Sequence, residues 1–163
     1  MKFKITLQTN RQYGNLLPFN YQYEQSAVIY RILAQADMQY SSWLHENGYL
    51  LHEAKRFKLF CYSPFIFEKV KPLPEAGCLD IIGEKAVWYI SFIPEKSTLE
   101  FIQGIFAHQS FSIGNKEHRV AFDVIGVEAM SMPQLTEQIA FQAMSPICVK
   151  LHEDNKTQYL SPD

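Results

Sequence analysis

The chain has little of what metal, disulfide and phosphate-loop proteins are built from. Its three cysteines, Cys61, Cys78 and Cys148, are odd in number and none sits in a CxxC pair. That excludes a disulfide frame and a cysteine zinc site, and points to small buried thiols in a reducing compartment. The seven glycines are scattered, so no glycine-rich loop cradles phosphate. The five histidines, His45, His52, His108, His118 and His152, show neither HxH nor HxxxH spacing, and no HExxH or GxSxG motif is present. No metal and no cofactor is therefore expected. No apolar run approaches the ~20 residues of a membrane span, and the opening MKFKITL alternates like a strand instead of reading as a signal peptide. The expectation is a soluble, cytoplasmic protein without a membrane partner. An excess of positive charge is also missing: 15 Lys and Arg against 17 Asp and Glu give −2, which rules out a whole-chain basic footprint for nucleic acid.

What is present is a globular composition. The 163 residues are 47% hydrophobic and include twelve Phe, nine Tyr and two Trp, enough for one domain with a real core. Charge is uneven within it. Between residues 55 and 71 stand Lys55, Arg56, Lys58, Lys69 and Lys71 against one acid, Glu68. A basic strand of this kind can hold phosphates, and it can equally be a solvated strand face.

Periodicity orders the chain. Residues 2–8 alternate strictly, with Phe3, Ile5 and Leu7 on one side, which predicts a half-buried strand. Residues 24–36 turn helical: Ala27, Tyr30 and Ala34 share a stripe that Val28, Ile29, Ile32 and Leu33 widen. A short helical turn over 41–46 stops at Asn47-Gly48. Residues 56–68 read as one long aromatic strand, with Phe57, Leu59 and Cys61 opposite Lys58, Phe60 and Tyr62. Residues 78–82 and 86–93 read as a hairpin around Gly83-Glu84-Lys85. Pro94 opens a helix to residue 107 with Leu99, Ile102 and Phe106 on one face. Short strands flank Gly114-Asn115, Val120, Phe122 and Val124 mark a longer one, and a last strand is expected over 141–151. The order strand, helix, strand, strand, helix, strand predicts an α+β fold, the ferredoxin-like βαββαβ (RRM-like) arrangement with hairpin elaborations. The tail, residues 159–163, reads as a linker, so the chain is expected to be part of a longer protein.

The candidate chemistry lies in Tyr30, His45 and Lys58. Cleavage of RNA by attack of a ribose 2′-hydroxyl on the neighbouring phosphorus needs a base, an acid and a cation for the pentacoordinate charge. Histidine titrates near neutrality and serves as base or acid, lysine steadies phosphate charge, and a phenol donates to or orients the attacking group. Each residue has a plainer reading. Tyr30 fits a core tyrosine with one bonded hydroxyl, His45 a favourable C-terminal helix charge, and Lys58 an edge or solvent-facing charge. Phe19, Tyr21 and Tyr23 suit base stacking, or stapling of the preceding loop onto the helix.

In order along the chain, MKFKITL, LLPFNYQYEQSAVIYRIL, SSWLHENG, KRFKLFCYSPFIF, LEFIQGIF, MSPICVKL and YLSPD resemble the N-terminal portion of the CRISPR-associated endoribonucleases of the Cas-six type, which process precursor CRISPR RNA. That family is built from two ferredoxin-like (RAMP) domains in tandem. The resemblance implies that residues 1–135 are the first domain and that 136–163 are a strand and linker toward a second domain absent from this chain. It implies a metal-independent endoribonuclease that acts on CRISPR repeat RNA, with no direct DNA partner, and leaves a 2′,3′-cyclic phosphate and a 5′-hydroxyl. Its catalytic tyrosine falls on Tyr30, its histidine on His45 and its lysine on Lys58; the charge of the basic run makes Lys55, Arg56, Lys69 and Lys71 the expected RNA contacts. The family's RNA-binding glycine-rich loop has no counterpart before Asp163, so residues 1–163 are expected to fold but bind RNA weakly, with weak or no activity. The alternative within the same fold is a non-catalytic RNA-binding or scaffold subunit of a CRISPR effector complex. A ferredoxin-like module that binds a small ligand or a protein through its sheet is a third reading.

Overall fold

A computed structural model describes residues 1–51, 55–131, 136–140, 143, 149–153 and 156–160. The chain divides into two compact units, Met1–Met132 and Pro133–Asp163.

The first unit begins with β1 (Lys2–Asn10), a 3-10 turn (Arg11–Tyr13) and β2 (Leu16–Pro18), followed by the helices α1 (Gln22–Ala36) and α2 (Met38–Glu46). Short strands follow: β3 (Tyr49–Leu51), β4 (Lys55–Phe57), β5 (Phe60–Tyr62), β6 (Ile66–Phe67), β7 (Val70–Leu73) and β8 (Cys78–Ile81). The unit closes with β9 (Lys85–Phe92), α3 (Glu95–Ala107), β10 (Ser110–Gly114) and β11 (Arg119–Met130). The main sheet is antiparallel in the order β10-β11-β1-β9-β5, with β6 also paired to β9. Taking β1, α1, β5, β9, α3 and β11 as a βαββαβ core, its strands lie fourth, first, third, second across the sheet, which is the ferredoxin-like fold that the element order predicts. β10 extends the sheet at one edge. The second unit contains a hairpin, β12 (Val149–Glu153) on β13 (Lys156–Leu160).

The period-two pattern of β1 buries Phe3, Ile5 and Leu7, as expected. Trp88, Ile90 and Phe92 of β9 and Val120 and Phe122 of β11 join them against α1 and α3. Each of these large side chains contributes about 1.5–3 kcal/mol by leaving water.

Several expectations are corrected. The long strand over 56–68 is three pieces. Leu59 adopts φ 56°, a left-handed conformation that side chains other than glycine rarely accept, and this turns the chain from β4 into β5. Phe60 and Tyr62 face the core while Cys61 is exposed, so of the two cysteines described only Cys78 is a buried thiol. Residues 78–81 and 85–92 do not pair with each other. β8 sits between β2 and β7 in a separate three-stranded sheet, because Ile82 and Gly83 both donate their N–H to Lys69 O and lead the chain away. On α3, Leu99 and Phe106 are exposed, and Ser97, Thr98, Phe101, Gly104 and Ile105 are buried instead. The reason is close approach: a Cβ on Gly104 would lie 1.8 Å from Ile32 O of α1, so the small residues face the neighbouring helix. Similarly, α1 buries Gln25, Val28, Ile29, Ile32 and Leu33, and Ala27 lies outside. The tail is not plain linker, since Tyr159 and Leu160 belong to β13. Most of the last strand expected over 141–151 falls outside the described residues; β12 supplies its end. Among the described residues no helix is long and apolar enough to cross a membrane.

Candidate active site

One residue, Asp37, ends α1 and starts α2. Its backbone N–H bonds Leu33 O, and its carboxylate accepts from Tyr40 N at 2.8 Å, a helix N-cap. Ser41 Oγ donates to Tyr30 O at 2.8 Å and pins α2 back onto α1. On the far side, Tyr40 Oη bonds Tyr49 Oη at 2.9 Å and the Oγ of fully buried Ser97, tying α2 to α3 and β3. Burial pushes the Tyr40 phenol well above its usual range. These ties set the angle at which α2 presents His45.

The Tyr30 and His45 rings meet edge to face, with centroids 5.0 Å apart and an interplanar angle of 84°. Phe60 of β5 backs Tyr30 at 5.8 Å. Burial, and then the neighbouring Tyr62, push the Tyr30 phenol above its ordinary pKa, so it stays protonated at neutral pH.

Lys58 reaches the end of the same helix, where its ammonium donates to the carbonyl oxygens of Leu44 and His45 in the last turn of α2. Desolvation, and then the charge of Arg56, lower its pKa. Gly48 (φ 69°) makes the approach possible, because a Cβ there would lie 2.7 Å from Phe57 O and 3.2 Å from Lys58 Cδ. The Asn47-Gly48 stop read from the sequence thus also makes room for the lysine stem. Arg56 donates to Asn47 Oδ1 at 3.0 Å, at the end of the same helix, and Lys55 is exposed on the same strand. Lys69 and Lys71 are exposed in and beside β7, in the separate sheet. The basic run is therefore two groups, and only its first half belongs to the helix end that carries His45. Phe60, Tyr62 and Gly48 carry no sequence signal for these roles, which arise from cross-element contacts. Tyr21 ties the start of α1 to the segment after β5: it is buried, stacks on Phe65 at 5.5 Å, and its hydroxyl accepts from Phe65 N at 3.1 Å. Tyr23 does not staple, being 81% exposed. Among the described residues no group of three His, Cys, Asp or Glu side chains could hold a metal ion.

Residues 16–122, about two thirds of the chain, match the family model described as CRISPR-associated protein Cas6, N-terminal. The chain belongs to this family. It is 25% identical over 150 residues to CRISPR-associated endoribonuclease Cas6 1 of Methanocaldococcus jannaschii, covering 92% of this chain and 52% of that protein. The chain thus spans about half the length of this Cas6 relative. Solved structures agree on the fold. A Cas6-related protein from Pyrococcus furiosus superposes with TM-score 0.74 at 22% identity, covering 98% of this chain and 60% of that one. A RAMP protein binding different RNA substrates gives 0.71 at 24% (98% and 61%), and a CRISPR-associated protein Cas6 gives 0.63 at 27% (100% and 63%). The Cas6 model begins at β2 and ends in β11, so it takes in Tyr30, His45 and Lys58.

Proposed function

We propose that this chain carries the proton-transfer centre of an endoribonuclease that cleaves precursor CRISPR RNA within its repeats, without a metal ion. The observation that carries the reading is the edge-to-face approach of Tyr30 and His45 at 5.0 Å, on two helices joined through one capped residue. The name of the Methanocaldococcus jannaschii relative, an endoribonuclease, and that of the RAMP neighbour, a binder of RNA substrates, both favour an RNA substrate.

In this reading the ribose 2′-hydroxyl is the nucleophile, so the substrate brings its own attacking group. His45 takes the 2′ proton as the O2′–P bond forms. The P–O5′ bond breaks, and the departing oxygen takes a proton from the Tyr30 phenol, which is protonated at neutral pH. The phenol remains a stronger acid than a ribose hydroxyl, and the proton on His45 restores it. The products are a 2′,3′-cyclic phosphate and a 5′-hydroxyl. Each proton-transfer partner contributes roughly 10²–10⁴-fold in rate. Lys58, with Arg56 and Lys55 nearby, supplies positive charge at the phosphate. Residues 1–135 form the first of two ferredoxin-like domains, and 136–163 lead toward the second.

The test is incubation of end-labelled repeat RNA in EDTA with this chain at high concentration and with His45→Ala. A single cut that leaves a cyclic phosphate and disappears in the variant is the expected result. Equal cutting by both proteins would remove His45 from the chemistry. A second reading, a non-cutting RNA-binding subunit of a CRISPR effector complex, is favoured by one observation: the Lys58 ammonium is already occupied by two backbone carbonyls. Repeat-specific binding with no cut is its outcome.

A further inference from the structure

A groove runs between α1 and the edge hairpin β10–β11, and neither Tyr30 nor His45 lines it. Tyr23, Glu24, Ala27, Arg31, Gly114 and Arg119 are among its walls, and it encloses about 340 Å³. A second recess of about 240 Å³, which shares Arg31 and Ser112 with it, reaches Gln35 and His108.

Two guanidiniums face this groove. Arg31 donates to Ser112 O of β10 at 2.8 Å, and Arg119 lies over the Tyr13 ring at 5.7 Å. Among the described residues neither has a carboxylate within ion-pair distance. The two sense one another: the pKa of Arg31 is lowered first by burial and then by the charge of Arg119. Guanidiniums with no carboxylate in ion-pair distance are open to an incoming anion, and their forks match phosphate oxygens. Glu24 is the carboxylate on the wall, so the balance facing a ligand is two cations to one anion.

Aromatic surface lies beside the charge. Tyr23 is 81% exposed and Tyr13 is 52% exposed, whereas Tyr21 is buried. Exposed aromatic rings alongside arginines form the platform on which single-stranded bases stack. Tyr23 lies two helical turns before Tyr30, and Arg31 directly follows Tyr30, about 100° round the helix. The groove is thus lined by the same helix that carries Tyr30.

We propose that the α1/β10 groove is a subsite for single-stranded RNA flanking the cleavage position, in which Arg31 and Arg119 clamp one backbone phosphate and Tyr23 stacks on a base. The subsite rests on the nuclease reading for its register but not for its binding. The experiment is fluorescence anisotropy of labelled single-stranded repeat RNA over a salt series, with the 163-residue chain, Arg31→Gln/Arg119→Gln, Arg119→Gln alone and Tyr23→Ala. The double variant should bind at least about tenfold more weakly, and its salt slope should fall by about 0.7, the share of the one clamped phosphate. Tyr23→Ala should weaken binding roughly 5- to 100-fold with the slope unchanged. Thermal melting of each variant separates unfolding from lost contacts, and Arg119→Gln, which leaves the Arg31–Ser112 bond intact, carries the test if the double variant unfolds. Wild-type affinity and slope in folded variants, no RNA binding by the wild-type chain, or preference for an acidic peptide over RNA would each overturn the subsite. Cleavage is scored separately on the same proteins. Cutting with the groove variants unimpaired retains the nuclease and loses the subsite. Impaired binding with no cutting by the wild type does the reverse.

Discussion

Lys58 reaches back to His45 through the backbone: its ammonium donates to the His45 carbonyl oxygen, and to that of Leu44, at the end of α2. A cation at a helix C-terminus is favourable by about 0.3–1 kcal/mol, and by up to ~2 kcal/mol when partly buried. The residue offered by sequence as a phosphate ligand therefore also fixes the helix end that presents the imidazole. In Lys58→Met the cap and the proposed phosphate charge both vanish, and stability should drop by about 1–2 kcal/mol. Lys58→Arg should restore much of the stability. Urea midpoints measure the cap and repeat-RNA cleavage measures the charge. Unchanged stability in Lys58→Met would show that the lysine is not needed as a cap.

Tyr30→Phe keeps the ring against His45 and Phe60 and removes only the hydroxyl. Cleavage should fall by roughly 10²-fold or more, with little change in stability near neutral pH. The Tyr30 pKa is raised, by burial first and by Tyr62 second. A raised folded value means that its contribution is complete below the unfolded tyrosine value near ~10 and is lost as pH rises through the higher folded one. Wild type should therefore lose stability relative to Tyr30→Phe above about pH 10. Urea unfolding of both proteins at neutral pH and at high pH checks the sign.

Asp37 caps α2 through Tyr40 N and pairs with Lys96 at 3.2 Å. Its carboxyl is held below its usual range, first by the bond from Tyr40 and then by Lys96. That contribution is present above the unfolded aspartate value of about 3.9 and is lost as pH falls through the lower folded value. Asp37→Ala should melt earlier than wild type at neutral pH, and the gap should narrow in acid. Asp37→Asn keeps a capping oxygen and should recover most of the loss.

Tyr40→Phe leaves the buried Ser97 hydroxyl without its Tyr40 partner, at a cost of about 1–3 kcal/mol. Ser97→Ala in the same protein should recover part of that, because both ends of the bond are then gone. A double-mutant cycle in urea measures the coupling. Additive losses would mean that the hydroxyls do not depend on each other.

Gly104→Ala sets two magnitudes against each other. Alanine gains about 1 kcal/mol in helix propensity. Its Cβ would stand 1.8 Å from Ile32 O, a backbone atom that moves only if α1 and α3 separate. The clash should win, with a net loss of at least about 2 kcal/mol by thermal or urea unfolding.

Local pattern determined the helices and strands whose partners did not matter. The alternation of Phe3, Ile5 and Leu7 marks β1, Asn47-Gly48 marks the end of α2, Pro94 marks the start of α3, and their order yields the ferredoxin-like core. The three chemistry-bearing residues were legible as residue types at positions matching a family. What only tertiary structure decided is pairing and facing. The chain over 78–92 forms two strands, as its composition suggests, but the hydrogen bonds to Lys69 O send them to different sheets, and periodicity holds no information about partners. The inner face of α3 follows Gly104 and Ser97 and not Leu99 and Phe106, because helix separation, set by α1, outweighs residue hydrophobicity there. Leu59 breaks the aromatic strand at a conformation that its residue type does not announce. In the candidate site, the sequence could name Tyr30, His45 and Lys58, but a 5.0 Å ring contact and an ammonium seated on two carbonyls exist only once α2 is folded back by Asp37, Ser41 and Tyr40.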